Sequence, residues 1–381
     1  MSWPLVKIGE HLDILSGFAF KSSLFSDSGM PLIRIRDVLA GKTNTFYAGE
    51  YSEEYVIKKG DLLVGMDGDF NRETWNSKDA LLNQRVCKLT ADGEKLDQRF
   101  LYHLLPKELL KIHRNTPAVT VKHLSVKKIR DIEIPLPPLD EQKRIAAILD
   151  KADAIRRKRQ QAIQLADDFL RSVFLDMFGD PVTNPKDFSI GTIRDFVETA
   201  NYGSSGKASE TEGEYPMLRM GNITYKGGWD FTNLKYIDLS EKDKPKYLTQ
   251  KGDLLFNRTN SKELVGKTAV FEEEKPMAIA GYLIRVRTNE LGNNYYLSGY
   301  LNSAHGKKTL VGMCKSIVGM ANINAQELQN IKILLPPIEL QNEFENIVKT
   351  TKQKLKSFDK SSQLLDDNFN SLSQKAFAGE L

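Results

Sequence analysis

The segment PLPPLDEQKRIAAILDKADAIRRKRQQA, residues 135–162, is the part of this chain that says most about its fold. Proline does not fit inside a helix, so a helix can begin only after Pro138. Asp140 is a suitable N-cap, and Glu141 places negative charge in the first helical turn. No glycine or proline follows until Gly179, where the helix is expected to end. The segment therefore predicts a helix of about 38 residues, roughly 57 Å long at about 1.5 Å per residue.

A weaker copy of this segment, LLPPIELQNEFENIVKTTKQKLKSF, occupies residues 334–358. In both copies apolar residues recur at spacings of three and four, which is the pattern of a seam between two helices. The predicted seam residues are Ile145, Ile148, Ala152, Ile155, Ile163, Leu170 and Val173 in the first helix and Phe344, Ile347, Phe358, Leu365, Phe369 and Leu372 in the second. Two helices with matched apolar stripes can bury each other. Pseudo-twofold symmetry would make them antiparallel.

The rest of the chain is also repeated. Lys-Gly-Asp-Leu-Leu occurs at 59–63 and again at 251–255, and Pro-Leu-Ile-Arg-Ile at 31–35 is echoed by Pro-Met-Leu-Arg-Met at 216–220. Such an ordered series indicates two half-molecules, each a globular part followed by a helix. Alternating apolar residues between turn signals predict strands, so the fold class is α+β, a mixed α/β fold. The predicted segments are a globular domain at 1–139, a helix at 140–179, a globular domain at 180–337 and a helix at 338–381.

Composition narrows the class of protein. The chain has 381 residues, 40% of them hydrophobic, and a net charge of only +4, so any basic surface must come from local clustering. Cys87 and Cys314 lie far apart in apolar surroundings, which argues against a disulfide framework and suits a reducing compartment. No segment approaches the ~18 apolar residues of a membrane span. We expect a cytosolic protein that does not contact a membrane.

Motifs for catalysis are incomplete. Gly203 to Lys207 has a Gly-Lys pair without the P-loop spacing, and Gly266-Lys267-Thr268 has Ser261 where a P-loop needs its first glycine. The segment at 184–188, NPKDF, lacks the second proline of the adenine methyltransferase motif. The five histidines show no metal-ligand spacing. The sequence therefore predicts neither a catalytic site nor a metal site in this chain.

Polar loops follow equivalent strands in the two halves. Arg and Asn read guanine and adenine edges, while Ser, Thr and Lys bind phosphates. Each loop alone could equally be an ordinary polar surface loop, but equivalent placement in two divergent halves favours a binding function. The predicted DNA-binding residues are Phe20, Lys21, Ser22, Arg34, Arg36, Asn71 and Arg72 in the first half and Tyr202, Ser204, Ser205, Lys207, Arg219, Asn222, Asn257, Arg258, Thr259, Asn260, Ser261 and Lys262 in the second.

Five segments together resemble the specificity (S) subunits of type I restriction-modification systems. They are IPLPPLDEQKRIAAILDKADAIRRKRQQ, its copy LLPPIELQNEF, the closing KAFAGEL, and the segments EYPMLRMGNI and GDLLFNRTNSKELVGKTAVF. The resemblance covers essentially the whole chain, with two variable and two helical regions in the order of that family. One departure lies at 340–344, where LQNEF replaces the usual Glu-Gln-basic run and weakens the symmetry of any partner surface.

The resemblance implies a non-catalytic subunit. Each globular half would be a target recognition domain that reads one half of a bipartite site in double-stranded DNA. The helix pair would form a coiled coil, set the gap between the half-sites, and dock two modification (M) subunits. We expect the outward helix face, namely Gln142, Arg144, Lys151 and Gln341, to contact the partner.

The resemblance also places the chemistry on other chains. The M subunits would bind S-adenosylmethionine and methylate adenine, and restriction (R) subunits would use ATP and Mg to translocate and cut DNA. This chain would carry no cofactor, and the complex would act in a prokaryotic cytoplasm, associated with the nucleoid.

Two other classes of protein remain open. One is a stand-alone endonuclease or methyltransferase, which methyl transfer by the purified chain would indicate. The other is a structural coiled-coil protein with no role on DNA. Loss of DNA selectivity in every complex would favour that class.

Overall fold

The computed structural model describes residues 3–117, 121–261, 264–314 and 321–380, and within the last range the backbone but not the side chains of 356–366. The chain divides into two compact units. Unit 1 is Met1–Arg159 together with Lys360–Leu381, and unit 2 is Gln160–Asp359. Each unit therefore contains one globular half and a segment of both long helices.

The globular part of unit 1 is built mostly from short strands. Its strands are β1 (Leu5–Lys7), β2 (Leu12–Ser16), β3 (Phe25–Ser26), β4 (Met30–Ile33), β5 (Phe46–Tyr47), β6 (Val56–Ile57), β7 (Leu62–Gly65), β8 (Arg72–Thr74), β9 (Ala80–Leu82), β10 (Val86–Ala91) and β11 (Glu133–Pro135). Its helices are α1 (Gln98–Asn115) and α2 (Val126–Arg130). The first long helix, α3, follows at Leu139–Phe178.

Unit 2 repeats this plan. Its strands are β12 (Ser189–Thr192), β13 (Val197–Tyr202), β14 (Tyr215–Leu218), β15 (Lys235–Ile237), β16 (Leu254–Asn257), β17 (Thr259–Asn260), β18 (Thr268–Val270), β19 (Ala278–Ile279), β20 (Leu283–Thr288), β21 (Ala321–Asn322) and β22 (Lys332–Leu335). Its shorter helices are α4 (Lys244–Tyr247), α5 (Asn294–Asn302), α6 (Ala304–Met313) and α7 (Ala325–Gln329). The second long helix, α8, is Ile338–Ala378.

The main sheets of the two units have the same strand order. Unit 1 has β2-β10-β7-β8 and unit 2 has β13-β20-β16-β18, with antiparallel neighbours in both. A second sheet in each unit contains one parallel pair, β4 with β9 and β14 with β19. A two-stranded ribbon, β1-β11 or β12-β22, lies next to the start of each long helix. The predicted mixed α/β fold with an internal repeat is confirmed.

The repeated Lys-Gly-Asp-Leu-Leu segments form the same turn into a buried strand. Gly60 and Gly252 have φ values of +103° and +96°, a left-handed conformation that favours glycine. The Asp61 carboxylate accepts a hydrogen bond from the backbone N–H three residues before it, and Asp253 does the same. The leucines that follow are buried in both units. The turn therefore fixes the register of the central strands β7 and β16.

A Pro-Pro pair precedes each long helix and a glycine follows it. Helices α3 and α8 contain 40 and 41 residues, and each begins directly after a Pro-Pro pair. Gly179 and Gly379 follow their last residues with φ values of +76° and +75°, as expected for a left-handed residue that ends a helix.

Packing within each unit gives the helix direction. In unit 1, Ile145 near the beginning of α3 shares a core with Phe377 at the end of α8. In unit 2, Phe174 and Phe178 near the end of α3 each lie 5.5 Å from Phe344 at the beginning of α8, measured between ring centroids. Opposite ends of the helices therefore lie together in both units, and the predicted antiparallel arrangement is confirmed.

The structure places the seam residues at several levels of burial. Ile145 and Phe344 are buried, while Ile148, Ala152, Ile163, Leu170, Val173, Ile347, Phe369 and Leu372 are half-buried. The prediction for Ile155 is wrong, because 52% of this residue is exposed. Asp153, two residues earlier, is buried. Two residues correspond to a rotation of about 200° around the helix, so Ile155 points away from the buried face. The Phe358 and Leu365 side chains lie outside the described residues.

Candidate nucleic-acid interface

Several loops of unit 1 leave one edge of its main sheet. Strands β2 and β7 end at Ser16 and Gly65, which pair with Cys87 and Val86 at the beginning of β10. Strands β4 and β9 run parallel and also end at this edge, because a backbone bridge joins Phe18 to the residue after β9. We call the connecting residues 17–24, 34–37, 66–71 and 83–85 loop edge 1.

Unit 2 has the equivalent edge. Strands β13 and β16 end at Tyr202 and Asn257, which pair with Ile284 and Leu283 at the beginning of β20. We call Tyr202 together with residues 203–209, 219–222, 258–261 and 280–282 loop edge 2. The structure thus brings together, within each unit, loops that are far apart in the sequence.

A close backbone approach fixes the first loop of each edge. A Cβ atom on Gly17 would lie 2.0 Å from the carbonyl oxygen of Asn83, and one on Gly203 would lie 2.3 Å from that of Ala280. Only glycine fits at such distances. The two loops therefore occupy equivalent positions, as the sequence predicted.

Loop edge 1 has an aromatic character. Phe18 is 48% exposed, and its ring centroid lies 5.2 Å from that of Phe20 and 5.1 Å from that of Tyr55. Phe20 itself is buried against Tyr47 at 4.8 Å. The prediction that Phe20 contacts DNA is wrong, because its ring supports the loop from inside. Phe18, which was not among the predicted contacts, presents the exposed ring.

The polar side chains of loop edge 1 are mostly accessible. Lys21, Ser22, Arg36 and Asn71 are exposed. Arg34 is half-buried, with its guanidinium 6.0 Å from the ring centroid of Phe25.

The prediction for Arg72 is wrong in its placement. This residue begins β8, and its guanidinium stacks on the Tyr102 ring of α1 at 3.6 Å. Burial lowers the Arg72 pKa, and the neighbouring phenol and carboxylates act in the opposite direction. The side chain thus contributes to packing between the sheet and α1.

Sequence reasoning missed Arg85 at the same edge. Its φ of +74° is unusual for a residue with a side chain, and its side chain lies 3.5 Å from the Asp67 carboxylate and 3.4 Å from the His123 ring. The Asn-Gln-Arg turn before β10 gives no motif that would have singled it out.

Loop edge 2 is centred on Arg258. The Arg258 guanidinium lies 4.8 Å from the Tyr202 ring centroid, and the Tyr202 hydroxyl accepts a hydrogen bond of 2.9 Å from the Ala325 N–H. Tyr202 is 41% exposed, and Arg258 is half-buried with its Nε lacking a hydrogen-bond partner among the described residues. The tyrosine, itself held by the Ala325 N–H, therefore fixes the direction of the arginine at this edge.

Two predicted contacts of loop edge 2 lie inside the protein. Asn257 is fully buried and donates to the Leu264 carbonyl oxygen at 3.4 Å. Thr259 is buried in β17. The predictions for these two residues are wrong, because neither side chain reaches the surface.

Two further candidates hold backbone turns. The Ser204 hydroxyl is buried and accepts from the Gly206 N–H at 3.0 Å. The buried Asn222 amide accepts from the Arg219 N–H and donates to the Asp230 carbonyl oxygen, both at 2.8 Å. These predictions are wrong too, because the side chains serve the protein's own backbone.

The remaining candidates of loop edge 2 reach the surface to different degrees. Ser205 and Lys207 are exposed, whereas Asn260 and Ser261 are half-buried. Arg219 is half-buried and donates to a carbonyl oxygen of its own unit, that of Asn233, at 2.8 Å. Lys262 lies outside the described residues. Tyr282, which sequence reasoning missed, is 52% exposed in the turn before β20.

The P-loop-like segment has a structural role. The Lys267 side chain is buried and donates to the Met220 carbonyl oxygen at 2.7 Å. Burial lowers its pKa. The ammonium group therefore stabilises the turn around Met220 and does not project towards a phosphate.

The outward helix face differs from the prediction. Gln142 and Gln341 are 0% exposed, so their predicted contact with a partner subunit is wrong. Arg144 is exposed and donates to Glu141 at 2.7 Å, and Lys151 is also exposed. These two residues lie where the prediction placed them.

Among the described residues, no group of three or more His, Cys, Asp or Glu side chains is arranged to hold a metal ion. Over the same part of the chain, no helix combines the length and apolar character that crossing a membrane requires.

Comparison with known proteins gives consistent matches. The family model for the type I restriction modification DNA specificity domain matches residues 2–165 and 185–365. The type I restriction enzyme EcoBI specificity subunit of Escherichia coli is 33% identical over 417 residues, spanning 100% of this chain and 86% of the relative. The EcoKI specificity subunit of Escherichia coli strain K12 is 23% identical over 417 residues, spanning 100% and 89%.

A solved structure shares the fold. The type I restriction-modification S subunit from M. genitalium has a TM-score of 0.62 at 17% identity, covering 98% of this chain and 96% of that one.

Proposed function

This chain belongs to the type I restriction-modification DNA specificity family, and on that premise we propose that each unit reads one half of a bipartite DNA site through its loop edge. The chain is a specificity subunit and has two target recognition domains. We assign the first half-site to loop edge 1 and the second to loop edge 2.

The equivalence of the two loop edges is the observation that best supports this proposal. Two sheets with the same strand order gather the same set of loops at the same edge, and the exposed side chains of those loops differ. Arginine and asparagine can read base edges, while lysine and serine bind phosphates. Two equivalent edges with different chemistry fit a site whose halves have different sequences.

The long helices would perform the second task. A helix of 40 residues extends about 60 Å at about 1.5 Å per residue, which exceeds the DNA turn of roughly 34 Å. We propose that α3 and α8 set the gap between the half-sites and dock two modification subunits, with Arg144 and Lys151 on the docking face. Restriction subunits would join the same complex.

The catalytic groups would belong to the partners. Modification subunits would supply S-adenosylmethionine and transfer its methyl group to adenine, and restriction subunits would use ATP and Mg. This chain would contribute no cofactor, and we place the complex in the prokaryotic cytoplasm, on the nucleoid.

The deciding experiment is single-molecule sequencing of adenine methylation in cells that carry the modification partner, with and without this gene. We expect a bipartite methylated motif that disappears with the gene. An unchanged methylome in cells that express both proteins would contradict the proposal. Methyl transfer by the purified chain alone would indicate an enzyme instead.

The role of the helices has a separate test. Removing seven residues from the middle of both α3 and α8 shortens each helix by about 10 Å, close to three base pairs. Seven residues are nearly two full turns, so the faces change direction by only about 20°. We expect a gap shortened by about three base pairs with both half-site sequences kept, and an unchanged gap would rule out the spacer role.

A further inference from the structure

Each recognition domain is joined to its own long helix by one buried glutamine. The Gln142 side chain accepts from the Asp97 N–H at 2.8 Å and donates to the Lys95 and Pro137 carbonyl oxygens at 2.7 and 2.9 Å. Asp97 is the N-cap of α1. The glutamine therefore connects the beginning of α3 to the beginning of the helix that lines its recognition domain.

Unit 2 repeats this connection. The Gln341 side chain accepts from the N–H of Asn293, the N-cap of α5, at 2.9 Å. It donates to the Leu291 and Pro336 carbonyl oxygens at 3.1 and 2.8 Å. Gln341 lies 199 residues after Gln142, which gives a common register for comparing α3 with α8.

In that register two of the helix charges that face the domains are inverted, while Glu345 of α8, beside Lys349, has no charged counterpart in α3. Asp150 of α3 corresponds to Lys349 of α8, and Asp153 corresponds to Lys352, each 199 residues later. Both positions lie two to three turns after the glutamine, on the side that meets the recognition domain. The acidic pair of one helix is thus replaced by a basic pair in the other.

In unit 1 the recognition domain places one cation, Arg99, and one histidine ring against Asp150. Arg99 of α1 donates from Nε to both Asp150 carboxylate oxygens, at 3.1 and 3.2 Å, and the His103 ring lies 2.7 Å from the same carboxylate. Burial raises the Asp150 pKa, but the bonds from Arg99 and His103 outweigh it, so the net pKa is lowered. The carboxylate is therefore held in its charged form.

The second acidic residue of α3 belongs to a connected network. Asp153 is buried and accepts from Arg157 at 2.7 Å, and Arg157 donates to Glu73 of β8 at 2.9 Å. The Tyr102 hydroxyl also donates to Glu73, at 3.0 Å, and the Tyr102 ring lies between the guanidinium groups of Arg72 and Arg99. The basic run at 156–159 is thus partly engaged with the recognition domain.

In unit 2 the recognition domain supplies an anion. Glu272 accepts from the Lys352 ammonium at 3.1 Å and from the Tyr295 hydroxyl at 2.8 Å. The Lys349 and Lys352 ammonium groups lie 5.3 and 5.8 Å from the Tyr295 ring centroid. Tyr295 is the second residue after the N-cap of α5, as Arg99 is the second after the N-cap of α1.

We propose that these inverted charges select the helix on which each recognition domain packs. Charge complementarity would let each domain pack stably only on its own long helix. On α8 the first domain would place Arg99 against Lys349. On α3 the second domain would place Glu272 against Asp153. The shared glutamine would accept either domain, so the charged positions make the selection, both within one chain and between two copies of it.

The test for unit 1 transplants one charge from the other helix into the full-length chain. Asp150→Lys copies Lys349, and Asp150→Asn removes the charge without inverting it. We expect hydrogen exchange of the α1 amides to be about tenfold faster in Asp150→Lys than in Asp150→Asn, because like charges then meet. Adding Arg99→Glu to Asp150→Lys should restore most of the protection, which a packing role alone would not do.

The mirror experiment applies to unit 2. Lys352→Asp copies Asp153, Lys352→Gln is its neutral control, and Glu272→Lys is the compensating change. We expect a loss and recovery of similar size in the α5 amides, because Lys352 and Glu272 are exposed to about the same degree as Asp150 and Arg99.

The outcomes distinguish selection by charge from packing that does not depend on charge. If the inverted and neutral variants behave alike in either unit, and the compensating change restores nothing, the proposal is overturned. If Asp150→Lys is insoluble, recovery of soluble protein when Arg99→Glu is added supports selection by charge. If the double variant is insoluble too, a double-mutant cycle of Arg99→Gln and Asp150→Asn tests the proposal. Strictly additive effects of the two neutral changes on α1 protection would show that Arg99 and Asp150 are not coupled and would contradict the proposal.

Discussion

Loop edge 1 and loop edge 2 leave sheets of identical strand order, but their exposed side chains differ in kind. Loop edge 1 presents Phe18 on an aromatic cluster, whereas loop edge 2 presents Arg258 held by Tyr202. The positions that the edges share, Gly17 and Gly203, are those where backbone atoms approach too closely for a side chain. The scaffold is repeated because packing constrains it, while exposed loop residues can diverge without a packing cost.

The largest effect expected from this comparison concerns the glutamine connection, which is the same in both units. Gln142→Ala removes three hydrogen bonds, one of them buried and two partly buried, and leaves the Asp97 N–H and two carbonyl oxygens without this partner. Each unsatisfied group costs about 1–3 kcal/mol, so we expect unit 1 to lose at least about 3 kcal/mol of unfolding free energy. Gln341→Ala should cost unit 2 a similar amount.

The three tryptophans allow each unit to be followed separately. Trp3 and Trp75 belong to unit 1 and Trp229 to unit 2, so a Trp229→Phe background makes urea unfolding by fluorescence report on unit 1. Gln374→Ala, an exposed position on the part of α8 that belongs to unit 1, is the matched control and should change little. A loss below about 1 kcal/mol for Gln142→Ala would show that the connection does not hold the domain on its helix.

The next effect concerns the difference between the two edges. Arg258→Ala in the assembled complex should weaken recognition of the second half-site by about 1–3 kcal/mol and leave the first half-site unchanged. Phe18→Ala is the converse variant and should affect the first half-site alone. Methylation of substrates with single base changes in each half measures both, and Arg194→Ala, exposed but outside the edge, is the control. Equal losses at both half-sites would contradict the assignment of one edge to each half.

The sequence predicted the repeat and the helices because those features depend on local chemistry. Glycine in a left-handed turn, proline before a helix and an apolar stripe each act over a few residues. Gly60, Gly252 and the Pro-Pro pairs can therefore be recognised in the sequence alone. The buried polar residues could not be assigned in that way. Gln142 and Asn257 are inside because each finds backbone partners that are distant in sequence or lie in a turn, and a side chain's type does not reveal its partners.

One available signal for Gln142 was its exact recurrence as Gln341 among otherwise divergent neighbours. The error at Ile155 has a different cause. Helix α3 must meet the recognition domain of unit 1 as well as α8, so its buried face passes through Asp153 and not through the apolar residue two positions later. The apolar pattern of α3 was interpreted as a contact with α8 alone, and such an interpretation fails where α3 also packs on the recognition domain.

The smallest effect concerns pH and applies to unit 1, where His103 is only 4% exposed and α5 has Gly299 at the corresponding position. Burial lowers the His103 pKa, although Asp150 acts in the opposite direction and Arg99 and Arg72 add to the lowering. As the pH falls from 7 to 5, the unfolded chain therefore takes up this proton before the folded chain does, and the unfolding free energy decreases.

We expect this decrease to be smaller than the loss caused by Gln142→Ala. His103→Gln, which keeps an N–H donor near Asp150 but cannot gain a proton, should remove that part of the pH dependence while the other histidines of unit 1 are unchanged. Urea unfolding in the Trp229→Phe background at pH 7, 6 and 5 measures it. If His103→Gln and the parent chain lose stability equally over this range, burial of the neutral ring is not the source of the pH dependence.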